Sequence, residues 1–271
     1  MGEPDDYYQS ELSPDGKKAA AAVGTANYGI WIYDSEHNTR TRFTFGKDVH
    51  LSPIWSRDGK QIAYMQGAYG GLSNESILAK AADGSGEEQK LMDLGRTIGL
   101  QEGLCDWSPD GRYILFTTGT ASMRTGTDIW VLPLFGDRKA FPYINAPGNQ
   151  MHAQFSPDGD WVACASDESG HWEVYVAPFP GTGAKWQVSN GDGLEPLWRG
   201  TARPSILRSR GIAESSRRML TAMDRVLKWV KCTLCFTSTI NLPTLRDSST
   251  PSPEMGSDFS GSRPERRASC R

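Results

Sequence analysis

Four side chains in this 271-residue chain invite a chemical reading first: His50, Glu102, His152 and Glu195. Two imidazoles and two carboxylates gathered around one opening could hold a metal ion or a cationic peptide. Solvated loop polarity is the competing account of the same four residues; as candidates they are ligand-binding residues of a channel mouth, with no metal site and no cofactor expected. Asp15, Asp58, Asp110 and Asp158 suggest acid–base work, but each stands in the same short phrase and reads as a turn residue. Nucleophilic catalysis finds no Gly-x-Ser-x-Gly elbow, and phosphate chemistry finds no Gly-x-x-x-x-Gly-Lys loop. Kinase catalytic motifs are missing as well. Cys232 and Cys235 have the spacing of a redox or zinc pair but lack a second ligand pair. The expectation is a chain without catalytic residues, not an enzyme.

The elements that must position these residues are written in a repeat. Ser13-Pro-Asp-Gly16, Ser56-Arg-Asp-Gly59, Ser108-Pro-Asp-Gly111 and Ser156-Pro-Asp-Gly159 follow one another at intervals of 43, 52 and 48 residues. A large apolar residue precedes each: Leu12, Trp55, Trp107 and Phe155. Proline presets φ, aspartate caps backbone amides and glycine accepts φ > 0, so each phrase makes a tight turn between strands. Second strands are predicted at 19–23, 61–65, 113–117 and 161–165. Third strands follow at 29–33, 76–81, 128–132 and 173–177, and fourth strands at 41–45, 89–92, 139–141 and 185–188. No segment before residue 200 has a helical period. A four-strand unit returning every 40–50 residues is the signature of propeller blades. The fold class is therefore all-β, a β-propeller of four-stranded antiparallel blades, with four blades recognisable in an incomplete ring. The flat rings at 55, 107, 155 and 198 fill the wedges between blades. Inner strands would bring Gln9, His50, Ser52, Glu102, His152 and Glu195 to one mouth of the channel.

The phrase from Trp55 to Tyr64 (Trp-Ser-x-Asp-Gly-Lys-x-Ile-Ala-Tyr) and the later Asp128-Ile-Trp-Val resemble the TolB-type, WD40-like propeller repeat. Phe155-Ser-Pro-Asp-Gly-Asp-Trp-Val-Ala, Glu173-Val-Tyr-Val-Ala-Pro-Phe-Pro and Lys185-Trp-Gln-Val-Ser are more particular. With Thr41-Arg-Phe-Thr-Phe and Trp130-Val-Leu-Pro-Leu-Phe-Gly-Asp-Arg-Lys, they resemble propellers fused behind bacterial serine/threonine protein kinases. The resemblance covers residues 7–199. It implies a non-enzymatic binding or sensing module, the regulatory region of such a kinase. Two alternatives are the propeller gate of a prolyl-oligopeptidase-like hydrolase and a freestanding TolB-like scaffold.

A fifth unit begins at Leu194-Glu-Pro-Leu-Trp-Arg199 and then loses the pattern. Residues 1–200 carry a net charge of −10 and residues 201–271 a net charge of +7. The expected division is a propeller over 1–199 and a basic, Ser/Arg/Pro-rich, mostly disordered tail over 200–271, read as translated out of frame or, alternatively, as a genuine flexible extension. Leu220, Met223, Leu227, Val230 and Leu234 form an apolar helical stripe within that tail. The expected partner is a protein or peptide, with self-association through open blade edges. Neither nucleic-acid binding nor a membrane span is expected. Without a basic and apolar leader or a long apolar run, the chain as it stands reads as cytoplasmic.

Overall fold

Each Ser-x-Asp-Gly phrase closes on itself and thereby sets two strands antiparallel. The computed structural model describes residues 7–24, 28–67, 72–98, 103–119, 126–181, 185–191, 193–199, 205–209 and 240–241. In the first turn the Ser13 hydroxyl donates to Asp15 at 2.6 Å and accepts from Lys18 N at 2.9 Å. The same bonds recur from Ser56 to Asp58, Ser108 to Asp110 and Ser156 to Asp158. The hydroxyl bonds hold the Asp15 and Asp58 carboxyls below the usual carboxylate range, with help from the following amides. These aspartates are consumed by turn geometry.

The first blade is β1 (Tyr7–Leu12), β2 (Lys18–Val23), β3 (Gly29–Asp34) and β4 (Thr39–Arg42). The second is β5 (Val49–Trp55), β6 (Gln61–Gly67), β7 (Leu72–Ala81) and β8 (Gln89–Ile98). The third is β9 (Gly103–Trp107), β10 (Tyr113–Gly119), β11 (Thr127–Pro133) and β12 (Phe141–Ile144). The fourth is β13 (Gln150–Phe155), β14 (Trp161–Ser166), β15 (Glu173–Pro178) and β16 (Trp186–Gln187). All four are antiparallel meanders, and the described residues contain no helix. A fifth sheet pairs β17 (Glu195–Arg199) with β18 (Ser205–Ser209) and β19 (Ile240–Asn241). β18 lies beyond residue 199, where the repeat loses its pattern. The Cys232/Cys235 pair and the stripe from Leu220 to Leu234 fall outside the described residues.

Second and third strands match their expected positions; of the outer strands, β8 begins where expected and β16 lies within its expected span, whereas β4 and β12 are displaced by two to three residues. An outer strand is paired on one side only, so side-chain pins set its end. Thr44 Oγ1 accepts from Ile30 N at 2.9 Å and Ser189 Oγ accepts from Val174 N at 2.7 Å.

The core lies between blades rather than within them. Ile62 and Tyr64 of β6 face the first blade, packing with Ala20, Ile30 and Phe43. Ala63 and Met65, one residue on, face the third blade with Trp107, Ile114 and Phe116. A strand buried on both faces reads as a continuous apolar run, which is why alternation is weak here. Trp55, Trp107 and Phe155 are 4%, 3% and 1% exposed, each wedged against the preceding blade. The Trp55 indole donates to Glu11 O at 3.2 Å and the Trp198 indole to Gln154 O at 3.0 Å, the same bond at the first and the fourth junction.

At the turn end of the channel, ionisable side chains tie the blades together. The Glu11 carboxylate accepts from Trp55 N at 2.9 Å, joining blades one and two. Arg57 bridges blades two and three, donating to Trp107 O and to both oxygens of Asp106. Asp106 also accepts from Phe155 N at 2.8 Å, joining blades three and four. Burial pushes Asp106 up to about 6 despite the opposing Arg57. Glu11 is pushed up to about 8, by burial first and then by Asp106.

Candidate functional site

The opposite end of the channel holds a cavity of about 570 Å³. Its wall comes from the inner strands β1, β9 and β13, the mouth ends of β10 and β11, and the loop residues Asn149 and Trp172. Gln9, His152, Gln154 and Asn149 supply amide and imidazole groups, Thr117 and Thr127 supply hydroxyls, and Tyr8 and Trp172 supply rings.

The side chains reach this space because each inner strand bulges as it enters. Register breaks occur between Tyr7 and Gln9, Leu51 and Ile54, and Met151 and Gln154. Ser52 and His152 occupy the same repeat position, four residues before the turn serine, with φ of 51° and 56°. A bulge with a left-handed residue re-aims the side chain that follows the break. Ser52 uses its new direction to donate to Gln9 Oε1 at 2.7 Å. Gly103 approaches closely here, since a Cβ at this position would sit 3.1 Å from Ser52 Oγ. Gln9 and Ser52 thus join blades one and two at the mouth, with Gly103 of blade three close beside them.

His152 lines the cavity. Desolvation lowers its pKa, and the neighbouring Glu195 opposes the shift in part. In its neutral form the ring offers one donor and one acceptor nitrogen. Glu195 is half-buried at the start of β17, four residues before Arg199, which stands where the turn serine would be. His152 and Glu195 are therefore the same position on adjacent blades.

His50 does not join them. It is 2% exposed, set edge-on to Tyr64 with ring centroids 5.5 Å apart, in the seam between blades one and two. Its Nε2 is buried without a hydrogen-bond partner, and burial lowers its pKa. The physical reason is spacing. His50 stands six residues before its turn serine, and Gln150, at the same place in blade four, is also fully buried. Glu102 shares that six-residue spacing and lies outside the described residues. Spacing to the turn serine, four against six, was the signal that separates the two groups.

The loop between blades three and four completes the rim. Asn149 Nδ2 donates to Asp167 Oδ2 at 2.8 Å, and Asn149 Oδ1 accepts from Thr127 N at 3.3 Å. These contacts hold Asn149 beside the cavity, a role its sequence gave no sign of. Among the described residues no group of three His, Cys, Asp or Glu side chains could hold a metal ion. Nor is any described helix long and apolar enough to cross a membrane. What the mouth offers is neutral hydrogen bonding flanked by rings, with Glu195 as the charge next to His152.

No family model matches the chain. It is 31% identical over 114 residues to the Bacillus subtilis protein named uncharacterized peptidase YuxL, which covers 40% of this chain and 16% of that one. It is 29% identical over 113 residues to dipeptidyl-peptidase 5 of Porphyromonas endodontalis, covering 39% of this chain and 15% of that one. The chain thus spans about a sixth of the curated relatives it matches. Among solved structures it resembles TolB of Acinetobacter baumannii, with a TM-score of 0.60 and 19% identity over 77% of this chain and 50% of that one. It also resembles a puromycin-hydrolyzing peptidase of Mycobacterium tuberculosis, at 0.52 and 14% over 78% of this chain and 36% of that one. These likenesses bear out the propeller of TolB type. The two relatives named as peptidases run against the expectation of a chain that is not an enzyme.

Proposed function

We propose that this chain is the propeller portion of a peptidase-class protein, and that its channel mouth receives the peptide. The observation that carries this reading is the cavity itself. Amides, hydroxyls, a neutral imidazole and two rings converge there, the groups that bond a peptide backbone and cover its side chains. Two sequence relatives named as peptidases support it. In this account Gln9, Asn149 and His152 bond the peptide amides, while Tyr8 and Trp172 flank its side chains. The Glu195 carboxylate favours a peptide that presents its amino terminus near blade five.

Calorimetric titration of the full chain with an uncapped, otherwise uncharged tetrapeptide tests this. Saturable binding is expected, weakened about tenfold in His152→Ala and in Trp172→Ala. Equal affinity in all three proteins, or no binding, would remove the mouth from the account.

A second reading rests on the phrases at Trp130–Lys139 and Glu173–Pro180, which resemble kinase-linked propellers. There the same mouth would be the ligand sensor of an attached serine/threonine kinase. Kinase motifs encoded in frame beside this segment would favour it, and a hydrolase domain with a nucleophile elbow would favour the first.

A further inference from the structure

The loop joining blades three and four carries a device that the repeat itself does not call for. Asn149, half-buried at the cavity, is held from two sides. Asp167 accepts from Asn149 N at 2.5 Å through Oδ1 and from Asn149 Nδ2 at 2.8 Å through Oδ2, while Asp167 N donates to Asn149 O at 3.2 Å. From the third blade, Thr127 N donates to Asn149 Oδ1 at 3.3 Å. A carboxylate oxygen accepts and a backbone N–H donates, so the two sides fix which end of the Asn149 amide is oxygen and which is nitrogen. Space for the arrangement comes from two glycines at φ of +87° and +85°. A Cβ on Gly148 would stand 2.2 Å from Asp167 Oδ1, and one on Gly126 would stand 2.5 Å from Asn149 Oδ1. Blade folding does not require any of this. Counted from the turn serine, the place of Asp167 is taken by Gly24, Gly67 and Gly119 in the other three blades. Blade two has Val49, only 4% exposed, at the place of Asn149.

After these bonds Asn149 keeps one Nδ2 hydrogen and one Oδ1 lone pair. A peptide group presents the matching carbonyl and N–H. We propose that Asp167 is a positioning residue of the mouth, holding the Asn149 amide so that it donates to a carbonyl and accepts from an N–H of the bound peptide, an assignment that rests on the peptide-receiving mouth. An asparagine free to turn would serve either partner equally well. A fixed one discriminates, because its donor and acceptor cannot exchange places and its ordering is complete before the ligand arrives. The ligand class that follows is a chain of secondary amides. An ester, or a proline nitrogen at that position, faces Oδ1 without a proton and forfeits a bond.

Calorimetric titration of the full chain with an uncapped tetrapeptide, and with analogues in which one backbone amide at a time is an ester, tests the assignment. An ester removes the N–H and adds no bulk. At least one analogue is expected to bind the wild type about fivefold more weakly than the parent peptide. Asp167→Gly, which restores the residue of the other three blades, is expected to bind the parent about fivefold more weakly and to lose the preference for amide over that ester. Asn149→Ala is expected to show the same loss. The double variant should then be no weaker than Asn149→Ala alone, since Asp167 acts through Asn149. Asp167→Asn keeps the size with a single acceptor oxygen and is expected to retain part of the preference. Thermal melts identify a folding defect; if Asp167→Gly has one, Asp167→Asn and Asn149→Ala carry the comparison. An Asp167→Gly protein that keeps the full preference overturns the positioning role, as does a wild type that binds every ester like the parent. Either result leaves the mouth itself standing on His152 and Trp172, whereas a wild type that binds no peptide overturns both.

Discussion

Replacing Glu11 with Gln should stabilise the chain at alkaline pH, although Glu11 makes a hydrogen bond between blades. Gln keeps an oxygen to accept from Trp55 N, now at 2.9 Å from the carboxylate, and removes the charge. Burial and Asp106 raise the Glu11 carboxyl from its ordinary 4.5 to about 8, so the folded state holds its proton more tightly than the unfolded one. Stability then falls as pH rises between those two values, because ionisation is easier unfolded. Asp106, pushed up to about 6, acts in the same direction over a lower window. The full Glu11 shift would amount to about 5 kcal/mol at 1.36 kcal/mol per pH unit. The side chain is only half-buried and can rehydrate, which discounts the effect to about 1–2 kcal/mol. Glu11→Gln should therefore match the wild type near pH 4.5 and melt about 2–8 °C higher above pH 8. Thermal melts by circular dichroism across that range read this directly. A variant that melts lower than the wild type at pH 8, or parallels it at every pH, would refute a strained carboxylate at this junction.

Three further outcomes follow from the same geometry. Trp55→Phe keeps the ring in its wedge but removes the indole bond to Glu11 O, and should cost about 1 kcal/mol by urea denaturation, against about 3–5 kcal/mol for Trp55→Ala. Gly111 has φ of +73° and open space around its would-be Cβ, so Gly111→Ala should cost about 1–2 kcal/mol purely through backbone conformation, with Gly111→Asn recovering part of it. Asp106→Ala leaves Phe155 N without its acceptor and frees Arg57, which already touches solvent; a loss of about 2–4 kcal/mol is expected in the same assay.

The repeat carried the fold openly because turn chemistry is local. Ser, Asp and Gly at fixed offsets bond within a handful of residues, so their meaning does not depend on the rest of the chain. The wedge aromatics were equally legible, since a large ring immediately before a turn, as at Trp55, Trp107 and Phe155, has one economical place to pack. The mouth was only half legible. Both histidines were expected at the mouth, yet His152, at the bulge four residues before its turn serine, lines the cavity, while His50, six residues before its own, lies in a seam. A bulge reverses the facing of neighbouring residues without any compositional mark. The charged ties at the other end escaped notice for a different reason. Glu11, Arg57 and Asp106 come from three different blades, and their pairing exists only once inner strands pack side by side. Asn149 and Asp167 likewise meet across a loop and a strand end.

Hydrogen exchange of the full chain, with and without the tetrapeptide, tests the central claim most directly. The account predicts slowed exchange at the mouth, over residues 150–154 of β13, at Thr127 and around Trp172, with the Ser-x-Asp-Gly turns unchanged. Protection confined to the turn end of the channel, or to the blade edges, would contradict a peptide-receiving mouth.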